Sequence, residues 1–490
     1  MEKIDYPAIR SALAAFPSDH DAAGSQRPTA DEIFTPEQHA NALDPNTPVV
    51  VGARGAGKSF WAGVLVENAT REVAARAYPH LQLDRLIVKP GYTGFDSDGA
   101  VTPKLIDALV PPGEEADKAA QFWSAVIMRS AHSALTPNED IAHIRTVINK
   151  YVDPEDFSEE IKRIDKQLEQ AGKVLLVTFD ALDTLSRDWK RSGQLIDALF
   201  EVIWSLRARR CIRAKLFIRP EQLGDDSLRF VELPKLRSGS IELTWTQTEL
   251  YGLLFWRLHG ALTGNKNSGF SELANQVGAP LSMMDNGLRR WPLVASPEVQ
   301  KAAMTRLAGP YMGSNAKRGG TYDWPYNHLA DAGGNVTPRS FIQLFVGAAQ
   351  YREQSNQQAI SAKGIQDGLR WASKVRVEEL VVEYQWIKRA LVPLAGLIVP
   401  CQVDTIYQRW DESKTVSTIL EAAKNPDTGF MAPFPPGSKG DGNEFLAHAM
   451  ERIGVFSYRP DGRIDMPDLF RVAARMLKKG GISNKSKSNG

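Results

Sequence analysis

Cysteine is nearly absent from this sequence: Cys211 and Cys401, far apart in the chain, are the two it has. That excludes a disulfide framework and a thiolate metal site, and it fits a reducing cytoplasm. The eight histidines are scattered, with no H-E-x-x-H and no paired spacing, so neither a structural nor a catalytic zinc is expected. An excess of one charge is lacking too. A formal net charge of +1 gives no overall pull toward nucleic acid or anionic lipid, so any such contact has to be local. Long apolar runs are missing: the longest, around 390–400, is interrupted by Pro393, Gly396 and Pro400 and is too short to span a bilayer. The opening residues, Met-Glu-Lys-Ile-Asp-Tyr, do not follow the basic-then-apolar order of an export signal, and a cytoplasmic protein without a membrane partner is expected. What remains, 43% apolar and 24% charged, is the composition of an ordinary globular chain. Its length suits about two to four domains.

Against that plain background one segment carries chemistry. Val49-Val50-Val51 is followed by Gly52, Ala53, Arg54, Gly55, Ala56, Gly57, Lys58 and Ser59, with Phe60 at the head of a helical pattern. This is G-x-x-x-x-G-K-S between an apolar strand and a helix, the pattern of a phosphate-binding P-loop. Glycine at positions 52, 55 and 57 lets the backbone curl so that successive N–H groups face an anion. The helix beginning near Lys58 adds its positive end. The residues from Gly52 through Phe60 are therefore the expected nucleotide-binding set. Lys58 would reach the β- and γ-phosphates, and Ser59 would hold Mg²⁺. A glycine turn with a chance Lys-Ser is the bland alternative, and the strand-before, helix-after context weighs against it.

The pattern around the loop alternates. Strands are expected at Asn46–Val51, Arg85–Lys89, Lys173–Phe179, Ala214–Ile218 and Ile241–Trp245, and helices at Phe60–Tyr78, Asp156–Gln170 and 192–207. Strands alternating with helices predict a three-layer α/β sandwich with a parallel sheet. After Trp245 the periodicity is helical, from Gln247–Ala261 to a long stretch over roughly 363–392. Residues 1–30 are polar and are expected to be loosely ordered. Phe34–His39, with Pro36 in its first turn, reads as a short helix that either packs near a nucleotide base or lies on the surface.

The run Lys173–Phe179 is apolar throughout and ends in Asp180, as expected of a strand buried on both faces. Asp180 is the candidate carboxylate for Mg²⁺, with Ser59 as the other metal-side group. Asp183, three residues on, is the candidate for polarising an attacking water; a helix N-cap is the equal alternative. Arg219, ending the next strand, would sense a γ-phosphate where strand ends line the ligand crevice; otherwise it is a surface arginine before Pro220. The catalytic set is thus Lys58, Asp180, Asp183 and Arg219, with ATP and Mg²⁺ as cofactors. ATP is preferred over GTP only because no N-K-x-D follows the core strands.

Taken together, the Gly52–Ser59 loop with Arg54, the D-x-x-D of Asp180 and Asp183, the strand ending in Arg219, and Leu243-Thr244-Trp245-Thr246 opening a helix with Leu250, Leu253 and Arg257 resemble the AAA+/STAND branch of P-loop ATPases, with KAP-type ATPases and origin-recognition-like initiators as relatives. The resemblance implies a helical lid after the core with a second sensor arginine. Gly334-Asn335-Val336-Thr337-Pro338-Arg339-Ser340 matches that sequence loosely, so Arg339 inherits the role, with a helix-start surface arginine as the alternative. The spacing of the two acids departs from the family's adjacent pair. Arg229 and Arg237 are arginine-finger candidates by position alone.

The resemblance also implies a closing winged helix, and residues 444–478 supply a helix, a hairpin turning at Pro460-Asp461-Gly462, and a helix. The expected division is a flexible segment at 1–33, an ATPase core at 34–245, a helical lid at 246–355, a helical and winged-helix-like domain at 356–478, and a disordered tail at 479–490. The expected function is an ATP-hydrolysing molecular switch in signalling or bacterial defence, acting through a homo-oligomer or a partner effector protein. Nucleic acid is a further partner through Arg452, Arg459, Arg463, Arg471, Arg475, Lys478, Lys479, Lys485 and Lys487, interleaved with Phe456 and Tyr458 but diluted by nearby acids. The alternatives are a DNA-binding initiator or loader and a nucleotide-binding scaffold with little turnover.

Overall fold

In the computed structural model, five strands form one parallel sheet: β1 (Val49–Val51), β2 (Leu86–Tyr92), β3 (Val174–Phe179), β4 (Ile212–Ile218) and β5 (Ile241–Glu242), in spatial order β2-β3-β4-β1-β5. The structure describes residues 4–17, 28–96, 99–136, 139, 142–186, 188–224, 228–262, 269–286, 288–353, 355–424, 430–434 and 440–478. Two compact units emerge, His20–Leu243 and Met1–Asp19 with Thr244–Gly490.

Side chains of the sheet alternate between two cores, as the pleat requires. Val49, Val51, Leu175, Val177, Phe179, Leu216 and Ile218 face one core, where Trp123, Leu195, Leu199 and Phe200 pack from helices Glu115–Leu135 and Trp189–Ser205. Val50, Leu86, Val88, Leu176 and Phe217 face the other, which is filled by Trp61, Val64, Leu65, Tyr78 and Leu43. A sheet covered on both faces is a three-layer α/β architecture, and it explains why β3 reads as a continuous apolar run. Helix Pro154–Gln170 buries Ile161, Ile164 and Leu168, and leaves its charged side to solvent.

The second unit is helical, with helices including Gln247–Leu262, Pro338–Ala349 and Ala362–Glu383. The last two pack closely at glycine. A Cβ on Gly368 would lie 2.1 Å from the Leu344 carbonyl oxygen, so no side chain fits there. Among the described residues no helix is long and apolar enough to cross a membrane.

Three expectations need correction. The helix after the loop is two helices, Lys58–Val66 and Asn68–Ala77, with Glu67 extended between them. The Thr70 hydroxyl donates to the Val64 carbonyl and Arg71 donates to that of Leu65, which satisfies groups the break leaves open. The N-terminal segment is not loose where it is described. Tyr6–Ala14 is a helix capped by Asp5, with Ile9 and Leu13 buried and Arg10 donating to the Ala359 and Gln358 carbonyls. Its apolar residues are too few for composition to reveal it. The closing helix of the winged-helix-like unit is a single turn, Asp468–Arg471. The chain then passes Arg475 at φ 57° and pairs Leu477–Lys478 in parallel with Ile398–Val399. The hairpin is present, with Ser457–Tyr458 antiparallel to Ile464–Asp465. The tail at 479–490 lies outside the described residues.

Candidate active site

Parallel pairing brings the C-terminal ends of the strands to one edge, and β4 lies between β1 and β3. The P-loop leaves β1, Asp180 follows β3, and Arg219 follows β4, so three segments far apart in sequence meet there. The turn is anchored by Gly52 N–H donating to the Ile218 carbonyl at 3.1 Å. Gly57, at φ 104°, is the residue from which the helix starts, a conformation L-residues with a Cβ rarely adopt.

Lys58 turns back into the loop, its ammonium donating to the Gly52 and Ala53 carbonyls at 2.7 and 3.1 Å. Burial, reinforced by the positive charge of Arg219, pulls its pKa down to about 8, while Asp180, Glu221 and Asp183 act in the opposite direction. Asp180 is buried, and burial raises its pKa; a hydrogen bond from the Ser59 hydroxyl and the Lys58 charge oppose that rise. Its backbone N–H donates to the Tyr92 carbonyl at 2.9 Å.

Ala181 then takes the left-handed conformation, φ 54°, and starts a 3-10 turn over Leu182–Thr184. That turn carries Asp183 back toward β4, where Arg219 Nη2 donates to Asp183 Oδ2 at 2.7 Å. Glu221 lies 3.9 Å from the same guanidinium. Sequence reasoning missed Glu221, Tyr92 and Thr184. The Tyr92 hydroxyl shares a 2.8 Å hydrogen bond with Thr184 Oγ1, and Thr184 donates to the Ala181 carbonyl, so the acid-bearing turn is pinned to the end of β2. Burial pushes the Tyr92 phenol up to about 12, which keeps it a neutral partner. The tyrosine that ends β2, the threonine next to Asp183 and the acid two residues past Arg219 were the available signals.

No protein-family model matches the chain, and no curated protein matches it. Among solved structures it is similar to the Walker-type ATPase PABY2304 of Pyrococcus abyssi, at 12% identity and a TM-score of 0.39 over 92% of this chain and 99% of that one. It is also similar to the ORC2 protein of Aeropyrum pernix, in its ADPNP–ADP complexes, at 13% identity and TM-score 0.40 over 91% and 93%. A third likeness is to Cdc6p of Pyrobaculum aerophilum, at 13% identity and TM-score 0.28 over 95% and 96%. Likenesses this distant carry no argument about activity, which rests on the site itself.

The donor set suits a hard cation. The Ser59 hydroxyl at the head of the loop helix and the Asp180 carboxylate after β3 are oxygen ligands of the kind Mg²⁺ takes alongside water and phosphate. No group of three or more His, Cys, Asp or Glu residues able to hold a metal occurs among the described residues.

The remaining candidates have partners of their own. Arg339 belongs to the second unit, at the start of helix Pro338–Ala349, and its Nη1 donates to Glu379 Oε1 at 2.8 Å. Arg376 lies 3.5 Å from the other oxygen of that carboxylate. Arg237 donates through Nε and Nη2 to the Leu223 carbonyl, and the Arg229 backbone N–H is held by Asp197. In the C-terminal unit Arg459 and Lys478 share Asp465, Arg463 pairs with Asp461, and buried Arg471 pairs with Asp468. These pairings reduce the free positive charge expected of a phosphate-binding wing.

Proposed function

We propose that this chain binds ATP with Mg²⁺ on the Gly52–Phe60 loop and hydrolyses it, as a switch of the AAA+/STAND type. The observation that carries the reading is the convergence at one sheet edge of the loop bearing Lys58 and Ser59, which leaves β1, with Asp180 after β3 and Arg219 after β4. In this reading Ser59 and Asp180 would hold Mg²⁺, which when bound would neutralise phosphate charge, and Lys58 would leave the loop carbonyls for the β- and γ-phosphates. A γ-phosphate competes with Asp183 for Arg219. Once released, the Asp183 carboxylate orients the attacking water, while the Arg219 cation meets the charge that develops in the transition state. The bond from the γ-phosphorus to the oxygen of the departing ADP breaks as the bond to water forms, and the proton that the water loses passes to the released phosphate or to solvent.

Nucleotide state then governs assembly or partner binding, and Arg339 keeps its candidacy as a second sensor on the family resemblance alone. The signalling or defence role rests on the family resemblance alone. A DNA loader is the weaker alternative because Arg459, Arg463 and Lys478 are already paired with carboxylates. The proposal is tested by measuring ATP turnover and Mg²⁺-dependent nucleotide binding for Lys58→Ala and Asp180→Ala. Unchanged turnover in both variants sinks it; tight nucleotide retention with negligible turnover in the unaltered chain favours the scaffold alternative.

A further inference from the structure

Away from the loop, a cavity of about 820 Å³ lies between Gly99–Leu109, helix Glu115–Leu135 and the start of helix Ile144–Lys150. Leu105, Leu109 and Ile144 give it apolar walls, and Arg129 and Arg145 bring two guanidinium groups to it. Asp96 is the one carboxylate among its described lining residues.

Arg129 is the informative member. It projects from a helix whose neighbouring residues Met128 and Ser130 are buried, and it is itself partly buried. Its Nη2 donates to the Gly99 carbonyl at 2.5 Å, and among the described residues no carboxylate pairs with it. Burial pulls its pKa down with no neighbouring carboxylate to oppose the shift. The two most deeply buried guanidinium groups with carboxylate partners show the alternative. Arg191 pairs with Glu115 and Asp107, and Arg471 pairs with Asp468. Removing a cation from water without a counter-charge is costly, and an anion in the cavity supplies that counter-charge. The volume lies in the range of small-molecule pockets, and apolar walls with a few convergent polar groups are their usual make-up.

We propose that this cavity binds a small organic anion, an apolar body bearing a carboxylate or phosphate, with Arg129 as the partly buried anchor and Arg145 closing on the charge from the facing helix. The site is separate from the P-loop, and the proposal stands whether or not the chain hydrolyses ATP.

The test is calorimetric titration of the full chain with phenyl phosphate. Saturable one-to-one binding is expected, retained in Lys58→Ala and weakened about tenfold or more in Arg129→Met, the size of effect a lost charge-assisted hydrogen bond gives. Arg145→Met, at an exposed position, is expected to weaken it severalfold without disturbing the fold, and phenol, which lacks the charge, is expected to bind far less well. Absence of saturable binding at millimolar probe overturns the proposal. So does loss of binding in Lys58→Ala with retention in Arg129→Met, which puts the probe on the P-loop, and so does an Arg145→Met protein that binds as well as the parent. Displacement of the probe by a short oligonucleotide that binds more tightly and depends on Arg129 assigns the cavity to a nucleic-acid backbone, and that too overturns it.

Discussion

Arg219 Nη2 donates to Asp183 Oδ2 across 2.7 Å, joining the end of β4 to the turn that follows β3. Both residues were candidates for separate roles, and in the folded chain each occupies the other. The Arg219 side chain is mostly buried, while that of Asp183 is 37% exposed, so the pair sits at the rim of the site and is partly screened by water. Such a contact can exchange partners, which a pair sealed in the core cannot.

If that exchange drives turnover, removing the acid and removing the cation have different signatures. Asp183→Asn is expected to lower kcat by about tenfold or more with little change in KM, because it removes a group that acts on water. Arg219→Ala is expected to lower kcat and weaken ATP relative to ADP, because only the triphosphate presents the γ-phosphate. Steady-state kinetics with nucleotide competition separates the two. Equal loss of ATP and ADP affinity in Arg219→Ala contradicts the assignment.

Gly57→Ala tests the loop backbone itself. A Cβ there meets nothing nearer than Trp61 Cδ1 at 4.0 Å, so space is not limiting. The φ of 104° is the obstacle, and forcing it on alanine costs on the order of 1–3 kcal/mol. Urea melts are expected to show that loss together with weakened nucleotide binding. An unchanged melt removes the strain argument.

Trp61 ties the loop helix to the segment before the loop. Its indole N–H donates to His39 Nδ1 at 3.2 Å, and both residues are buried. Trp61→Phe keeps most of the apolar contact but leaves His39 without that donor, and a destabilisation of about 1–3 kcal/mol is expected. A double-mutant cycle with His39→Ala checks it. Strictly additive losses would show that the hydrogen bond contributes nothing.

Lys215 gives a pH dependence of definite sign. It is fully buried in β4, with Nζ donating to the Asp44 and Thr47 carbonyls at 2.8 and 2.6 Å, and burial lowers its pKa from 10.5 to about 7. Below pH 7 both folded and unfolded chains hold the proton, and the burial penalty stands. Between about pH 7 and 10.5 the unfolded chain holds more protons than the folded one, so this group makes stability rise with pH. Lys58, lowered to about 8, adds to the rise in the upper part of that window. Chemical denaturation across the window is expected to show a smaller rise in Lys215→Met than in the parent. Parallel profiles would count against it.

The sheet was legible in the sequence because its strands are short apolar runs bounded by polar residues, and β3 in particular has no other place than between two helical layers. The loop was legible because glycine spacing and Lys58-Ser59 are local requirements. Helix Tyr6–Ala14 was not legible: Ile9 and Leu13 declare a buried face only when something packs on it. Nor was the break at Glu67, since nothing in Phe60–Tyr78 interrupts helical periodicity and the interruption depends on where Thr70 and Arg71 find carbonyls. The acids that dilute the basic wing were visible in the sequence, but that Asp465 pairs with Arg459 and Asp461 with Arg463 was decided only when the hairpin closed.

The sequence alone determined a phosphate loop after β1, an acid after β3 and an arginine after β4, because each is written in a few adjacent residues. Only the tertiary structure decided that these ends meet. Parallel pairing with β4 between β1 and β3 sets Ser59 against Asp180, and the left-handed turn at Ala181 swings Asp183 onto Arg219. Spacing along a chain says which groups exist; strand order, a property of pairings between distant residues, says which of them touch.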